Sequence, residues 1–516
     1  MNMKKIIYAV FTLLFLQACS LKEDTSSLST PGHFFRSKVE CQSVVNGCYI
    51  PIKNIYTQTF YTVTECQSDI AFINYGTLDC RLDVSPNQPR YGSTVWTNAY
   101  LGVQRCNFAI KGIENADCLS DKEKAQMLCE AKTLRAFYYY TLTCMFGDVP
   151  FYFDDVTDFE TQDRIAVLPR MSAVATRSAC IDDLLEIAPQ APQTRTSDNE
   201  DARVGSSLAW LLIGKMAMWN AAKDDPANSE EWYRTAVSAL EKLESVYGDI
   251  HDYDYAYNAT FRNKNTPESI MEVQHAYSRG GISYVSNLAA YMEPNSSSTN
   301  ISRAIFDGVE IPELGVDCDL HTSARPTKYF CQSIQPEGKR NIDKRTEVNM
   351  AWGYTYEGEY YEFKSVNSNP WPGPKFWCPD MVKSNDGNNY KVYRYSDALL
   401  LLAECWCALG DTEKSLGYLN AVRDRAGLDA YVYRTRSRLV DEIRNERARE
   451  LFGEFQRKFD LVRWGIWYDT VQGNSDSENL RENMLPCHEY YPIPETEVVN
   501  SKNHLDNKEY NKYGLS

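Results

Sequence analysis

The feature that most constrains this 516-residue chain is a recurrent pairing of helical apolar patterns, each pair joined by a short polar turn. In YRYSDALLLLAECWCALGDTEKSLGYLNAVRDRAGL, Ala398, Leu402, Cys405 and Leu409 recur at three- and four-residue steps, which puts them on one helix face. Gly410-Asp411 ends that helix and caps the next, along which Leu416, Leu419 and Val422 form a second apolar face as far as Gly427. SSLAWLLIGKMAMWNAAKDDPANSEEWYRTAVSALEKLESVYG repeats the plan, with DDPANS as the turn and Ala236 and Ala239 small enough for close helix approach. A long helix is read from KEKAQMLCEAKTLRAFYYYTLTCMFGDVP, in which Leu128, Ala131, Leu134, Tyr138, Leu142 and Met145 recur at the same steps, and Gly147 and Pro150 mark its end. Helix–turn–helix units of about 34 residues are the signature of tetratricopeptide-like packing. Long polar and aromatic stretches, at 55–100 and 250–390, separate the units. The expected fold is therefore mainly α: a helical-repeat superhelix carrying large loops and a few short strands. Long ordered loops in compact proteins usually carry the function.

The first residues read as an export signal. Lys4 and Lys5 precede an apolar run from Ile6 to Leu16, too short to span a bilayer as a mature helix. Leu16-Gln17-Ala18-Cys19 resembles the lipobox of bacterial lipoproteins, with Gln17 departing from the small or aliphatic residue usual there. Residues 1–18 are thus expected to be a lipoprotein signal peptide, Cys19 the lipid attachment point, and residues 19–32, polar and rich in Ser and Thr, a flexible tether. Within the tether, Lys22-Glu23-Asp24 resembles the surface-export signal of lipoproteins in certain Gram-negative gut bacteria. No later stretch offers about 18 consecutive apolar residues, so membrane attachment is expected through the anchor alone.

Composition excludes several classes. Net charge is −16, and removing residues 1–18 takes away two lysines and no acids, giving −16 − 2 = −18. A chain this acidic lacks the basic footprint of a nucleic-acid binder. Of 16 cysteines, 15 remain once Cys19 is set aside, an odd number that cannot all pair. Cys129, Cys144, Cys405 and Cys407 sit inside helical patterns and read as buried free thiols, while Cys41 and Cys48, seven apart, share a helix face. There is no C-x-x-C pair, H-E-x-x-H, G-x-S-x-G, P-loop or dinucleotide fingerprint, and the six histidines are scattered. No catalytic residue, metal or cofactor is expected, a structural calcium ion being left open.

The phrases YRYSDALLLLAECWCALG, LNAVRDRAGL, EIRNERARELFGEFQRKFDLVRWG and YYPIPETEV occur in the order and spacing of the SusD/RagB family. AKTLRAFYYYTLTCMFGDVPF is similar to that family's helix and its Phe-Gly-x-Val-Pro turn, and WTNAYLGVQRCNFAI to its helix with a central Asn, here Asn107. The resemblance covers residues 33–516, divided as an N-terminal helical region (33–250) and a C-terminal region (251–516) within one structural unit. It implies a cell-surface lipoprotein of the outer membrane, without catalytic activity. Such proteins bind glycans, or in some cases peptides, and form the lid of a SusC-like TonB-dependent transporter. It also implies four tetratricopeptide-like units and a loop-rich ligand face.

Two further motifs bear on function. In NERARELFGEFQRKFDLVRWG, Glu442, Glu446, Glu450 and Glu454 fall at four-residue steps, with Arg447, Arg449, Arg457 and Arg463 as the obvious compensation. A carboxylate pair at such spacing could serve glycoside hydrolysis, but a structural ion network is the favoured reading. Flat aromatic faces that cover sugar C–H patches are sought instead in the loops. WGYTYEGEYYEFKSVNSNPWPGPKFW, residues 352–377, holds nine aromatics in 26 positions, against 13% overall. It reads as a hairpin turning at Glu357-Gly358, with Tyr354, Tyr356 and Tyr361 on one face and Trp352 and Trp371 bracketing it. NYGTLDCRLDVSPNQPRYG supplies Tyr75, Asp79, Arg81 and Tyr91, on the loop where the resemblance implies part of a glycan site. A third stretch supplies Tyr277, Tyr284 and Tyr291. Glycan capture is the leading expectation; an oligopeptide-capturing lid and a tetratricopeptide-type interaction scaffold are the alternatives.

Overall fold

A computed structural model describes residues 34–515, apart from 74–77, 199–200, 254–256, 278–283, 293–304, 307–308, 311–323, 336–341, 357, 363–369 and 379–384. Nine helices of 12 residues or more are found among the described residues: α1 Lys38–Ile55, α2 Tyr91–Glu114, α3 Asp121–Phe146, α4 Ala173–Ile187, α5 Ser206–Trp219, α6 Ser229–Leu240, α7 Tyr395–Leu409, α8 Thr412–Arg425 and α9 Arg436–Glu450. They pack in chain order. α1 lies on α2, α3 on α4, α5 on α6 and α7 on α8, and the pairs are joined through α2–α3, α4–α5 and α6–α7 contacts. Four helix pairs stacked in sequence make the tetratricopeptide-like superhelix that the periodicity indicated.

The glycine boundary signals act as the sequence suggests, and a capping box adds to them. Ser120 and Glu123 close a capping box at the start of α3, and Gly147 (φ +70) ends it. Gly410 takes the left-handed conformation (φ +87), and Asp411 accepts from the Lys414 amide at 3.1 Å to start α8. Close packing depends on one glycine the periodicity did not mark. A Cβ on Gly102 of α2 would stand 2.2 Å from the Tyr138 ring of α3. With only hydrogen there, the ring passes α2 and its hydroxyl donates to the Cys48 carbonyl of α1 at 2.5 Å. One hydrophobic core runs through both halves of the chain, from Cys41 to Tyr510.

Ten short strands among the described residues decorate this scaffold: β1 Ala71–Ile73, β2 Ser269–Val273, β3 Ile305–Phe306, β4 Val309–Glu310, β5 Ala324–Pro326, β6 Met350–Ala351, β7 Gly353–Tyr356, β8 Glu359–Glu362, β9 Trp371–Pro372 and β10 Tyr390–Arg394. They form antiparallel sheets β1–β5, β2–β10, β6–β9 and β4–β3–β7–β8. Apart from the β7–β8 hairpin, none of these pairings was legible in the sequence, because strands of two to five residues show no reliable alternation.

Candidate functional site

The short strands bring the aromatic loops together. β1 leads into the 74–92 loop and pairs with β5, Phe72 lying opposite Arg325. β5 packs on β9, and β9 pairs with β6, Ala351 lying opposite Trp371. β6 leads through Trp352 into the β7–β8 hairpin. Neighbouring strands are about 4.8 Å apart, so these loop bases lie within roughly 15 Å of one another. The third loop joins through the helix Leu288–Met292, which packs on β5, and through the bridges Ala276–Tyr284 and Ser286–Asp386.

Individual candidates fare differently. Tyr75 lies outside the described residues. Asp79 is turned inward, not toward a ligand. Its Oδ1 accepts from the Tyr91 amide at 3.0 Å and from the Tyr491 hydroxyl at 3.2 Å, placing a carboxylate at the N-terminus of α2. Burial raises its pKa, and those two hydrogen bonds pull it back. Tyr91 is likewise committed: its hydroxyl donates to the Ile55 carbonyl at 2.5 Å and lies 2.7 Å from the Thr57 hydroxyl. Both residues fasten the loop to the ends of α1 and α2. Arg81 is half-buried, its carbonyl accepting from Asn483 at 2.9 Å.

Tyr277 donates to the Asn385 carbonyl at 3.0 Å. Tyr291 is half-buried, and burial raises its pKa. Tyr284 is 47% exposed, with the Lys53 ammonium 4.8 Å from its ring centroid. Trp352 is half-buried and donates its Nε1 hydrogen to the Thr346 carbonyl at 3.3 Å. The hairpin has the expected register, Tyr354 opposite Tyr361 and Tyr356 opposite Glu359, with Gly358 at φ +85 in the connection. Trp371 is half-buried, and the Arg325 guanidinium lies over its ring, 2.9 Å from the centroid.

Sequence reasoning missed Arg325 and Tyr360. Burial alone lowers the Arg325 pKa to about 9, and its Nη1 has no hydrogen-bond partner. Tyr360 sits opposite Thr355 in the hairpin and is 52% exposed. Tyr360 carried a signal in its aromatic neighbours; Arg325 carried none, since its role comes from β5 packing on β9.

The carboxylate phrase is an ion network sealed in the core. α9 ends at Glu450, so Glu442, Glu446 and Glu450 share the helix and Glu454 lies in the turn beyond it. Glu446 and Glu450 are fully buried. Glu450 accepts from Arg425 at 2.7 Å and from Arg345 and Arg394 at 3.1 Å each. Glu446 accepts from Arg345 and Arg449 at 2.6 Å. Only Arg449 of the four arginines expected to compensate reaches these glutamates. Arg447 binds Asp397 and Asp460, Arg457 binds Asp69, and Arg463 binds Glu404 and Asp460. Burial raises the Glu446 carboxyl, but the guanidiniums of Arg345, Arg449 and Arg423 overcome this and hold it at about 2. A carboxylate so enclosed has no face for a sugar or a water and cannot act as a general acid at neutral pH.

Among the described residues, several cavities are formed. A cleft of about 580 Å³ opens between α6, α7 and α9, beside Tyr233, Glu404, Arg444 and Trp464, and one of about 430 Å³ near Arg170, Lys223 and Tyr490. The cavity beneath the loops, between Phe261, Lys375 and Tyr390, holds only about 40 Å³. No group of three metal-ligating side chains occurs among the described residues.

A helical-repeat scaffold that gathers aromatic loops on short strands is shared with known binding proteins. The SusD family profile matches residues 328–510, and a profile described as starch-binding associating with outer membrane matches residues 21–178. SusD-like protein P25 of Formosa agariphila is 24% identical over 558 residues, covering 96% of this chain and 97% of that one. The starch-binding protein SusD of Bacteroides thetaiotaomicron is 22% identical, covering 83% of this chain and 80% of that one. Among solved structures, surface glycan-binding protein A from Bacteroides uniformis superposes with a TM-score of 0.70 at 22% identity, covering 91% of this chain and 99% of its own. A laminarin-binding SusD-like protein superposes with a TM-score of 0.68 at 19% identity, covering 92% and 99%. Over residues 21–178 and 328–510 this chain is thus similar to SusD-family proteins. No helix among the described residues is long and apolar enough to cross a membrane.

Proposed function

We propose that this protein is an outer-membrane lipoprotein, anchored through acylated Cys19 and facing the cell exterior, that captures oligo- or polysaccharide on its aromatic loop face. In this reading it acts as the lid of a SusC-like TonB-dependent transporter during nutrient import. The observation that carries the glycan reading is the convergence of three aromatic loops on the β1–β5–β9–β6 strands, with Tyr284 exposed and Trp371 half-buried. Ring faces held by backbone pairing suit a sugar's C–H patches, and Arg325 and Lys53 beside them supply donors for hydroxyls. The relatives named for starch, surface glycan and laminarin support the same ligand class.

A polysaccharide panel run by affinity electrophoresis tests the ligand. One glycan is expected to retard the protein, and Trp371→Ala and Tyr284→Ala are each expected to weaken binding roughly tenfold, about 1.4 kcal/mol. Retardation unchanged in both variants sinks the site; retention of peptides but of no glycan replaces the ligand class. The anchor is tested separately by palmitate labelling in cells. The wild-type chain is expected to incorporate label and Cys19→Ala to lose it, and a labelled Cys19→Ala protein would refute the attachment point.

A further inference from the structure

Of the 14 cysteines described, 13 are buried and Cys118 is exposed. Cys118 stands in the loop between α2 and α3, and its Sγ lies 3.8 Å from that of Cys41 in the first turns of α1. This is van der Waals contact between two sulfurs 77 residues apart in sequence. Their surroundings are already fixed. The Cys118 thiol donates to the Phe35 carbonyl at 3.3 Å. Phe35 packs against Phe108, ring centroids 5.5 Å apart and tilted at 53°, and covers Gly112, where a Cβ would stand 2.0 Å from its ring. Lys38 and Glu123 pair at 2.8 Å across the same junction. Cys48, seven residues on along α1, has its own neighbour in Cys106 of α2, but both are fully buried. A soluble oxidant has access to Cys118 and not to Cys48 or Cys106.

We propose that Cys41 and Cys118 are a redox-active dithiol that a low-molecular-weight disulfide oxidises to an intramolecular disulfide, locking the start of α1 to the α2–α3 loop. The chemistry is thiol–disulfide exchange. The thiolate of exposed Cys118 attacks one sulfur of the oxidant, forming a mixed disulfide and releasing the first thiol. Cys41 then attacks the Cys118 sulfur, gives its proton to solvent, and expels the second thiol. Two protein thiols are oxidised and one small disulfide is reduced to two thiols. The order of attack follows from environment: burial, with Cys118 as neighbour, pushes the Cys41 thiol up to about 11, so Cys41 resolves rather than initiates. The bond would close a long loop at the point where residues 1–33 join the folded body, so that a pull on the N-terminal segment meets a covalent stop before α1 can peel from α2.

The full chain, purified reduced, is incubated in a glutathione disulfide/glutathione series, quenched with acid and alkylator, and mapped by mass spectrometry. A Cys41–Cys118 peptide with loss of two alkylatable thiols is expected, absent in Cys118→Ser. The oxidised wild type is expected to melt several degrees above its reduced form, with no such difference in Cys118→Ser, whose exposed position leaves folding intact. Recovery of Cys118 only as the free thiol or as its glutathione adduct, with Cys41 still alkylatable after denaturation, overturns the proposal. A linked Cys48–Cys106 peptide in place of the expected one overturns it equally.

Discussion

Replacing Glu450 with alanine is expected to destabilise the fold by about 3–5 kcal/mol, the cost of breaking a buried ion cluster from one side. Glu450 is the point where three distant segments meet: Arg345, Arg394 from the end of β10, and Arg425 from the end of α8 all donate to its two oxygens. Remove it and three guanidiniums remain in the core around a cavity. Their other partners, Asp343 and Glu446 for Arg345, Glu268 and Glu454 for Arg394, and Glu268 for Arg425, cannot cover the lost charge. Glu450→Gln keeps the shape and one acceptor but loses the charge, and is expected to fall between the wild type and Glu450→Ala. Denaturant midpoints at unchanged slope measure both. A change below about 1 kcal/mol for Glu450→Ala would mean that water or a backbone shift relieves the site. The same experiment addresses catalysis: a hydrolase would lose activity in Glu450→Gln while keeping its fold, whereas a structural glutamate costs stability first.

Acid is expected to unfold the protein most steeply between about pH 4.5 and pH 2. Glu446 titrates near 4.5 when unfolded and at about 2 when folded, because three guanidiniums outweigh its burial. A depressed carboxyl contributes stability that is fully present above pH 4.5 and is lost as pH falls through 2, here on the order of 3 kcal/mol. Glu450 and Asp460 are also held below the usual carboxylate range and act in the same direction. His275 and His488, both lowered to about 4 by burial, begin the loss earlier: each must take up a proton on unfolding once pH drops below 6.5. Glu65 opposes them. Burial raises it to about 7, so its contribution is present below pH 4.5 and lost as pH rises through 7. Denaturant midpoints across pH 8 to 2 should therefore be nearly level near neutrality and fall sharply below 4.5. In Glu446→Gln the fall should be shallower, and an identical slope would show that Glu446 is not the titrating group.

Legibility differed from element to element. The C-terminal ends of α3 and α7 could be read because glycines and a 3.6-residue apolar period are local. The β7–β8 hairpin was legible because Glu357-Gly358 sits between two short aromatic runs. The arginine partners that reach α9 from outside it were not, since those donating to Glu446 and Glu450 come from segments 23 to 105 residues away. Asp79 and Tyr91 looked like ligand groups because a polar residue on a loop carries no local sign of whether it points out or caps a helix. Trp371 was found by composition, but its stack with Arg325 needed β5 to lie on β9.

What the sequence by itself determined is the helical scaffold, the expectation of an anchored, non-enzymatic binder, and the three stretches in which to look for its ligand. These follow from periodicity, caps, composition and phrase order, all carried by neighbours along the chain. Only the tertiary structure decided which side chains those stretches leave at the surface, which carboxylates are sealed by arginine, and that Cys41 meets Cys118. The physical reason is that a charge, a thiol or a ring acquires its role from what closes around it, and in this fold the closing partners come from remote strands and helix ends.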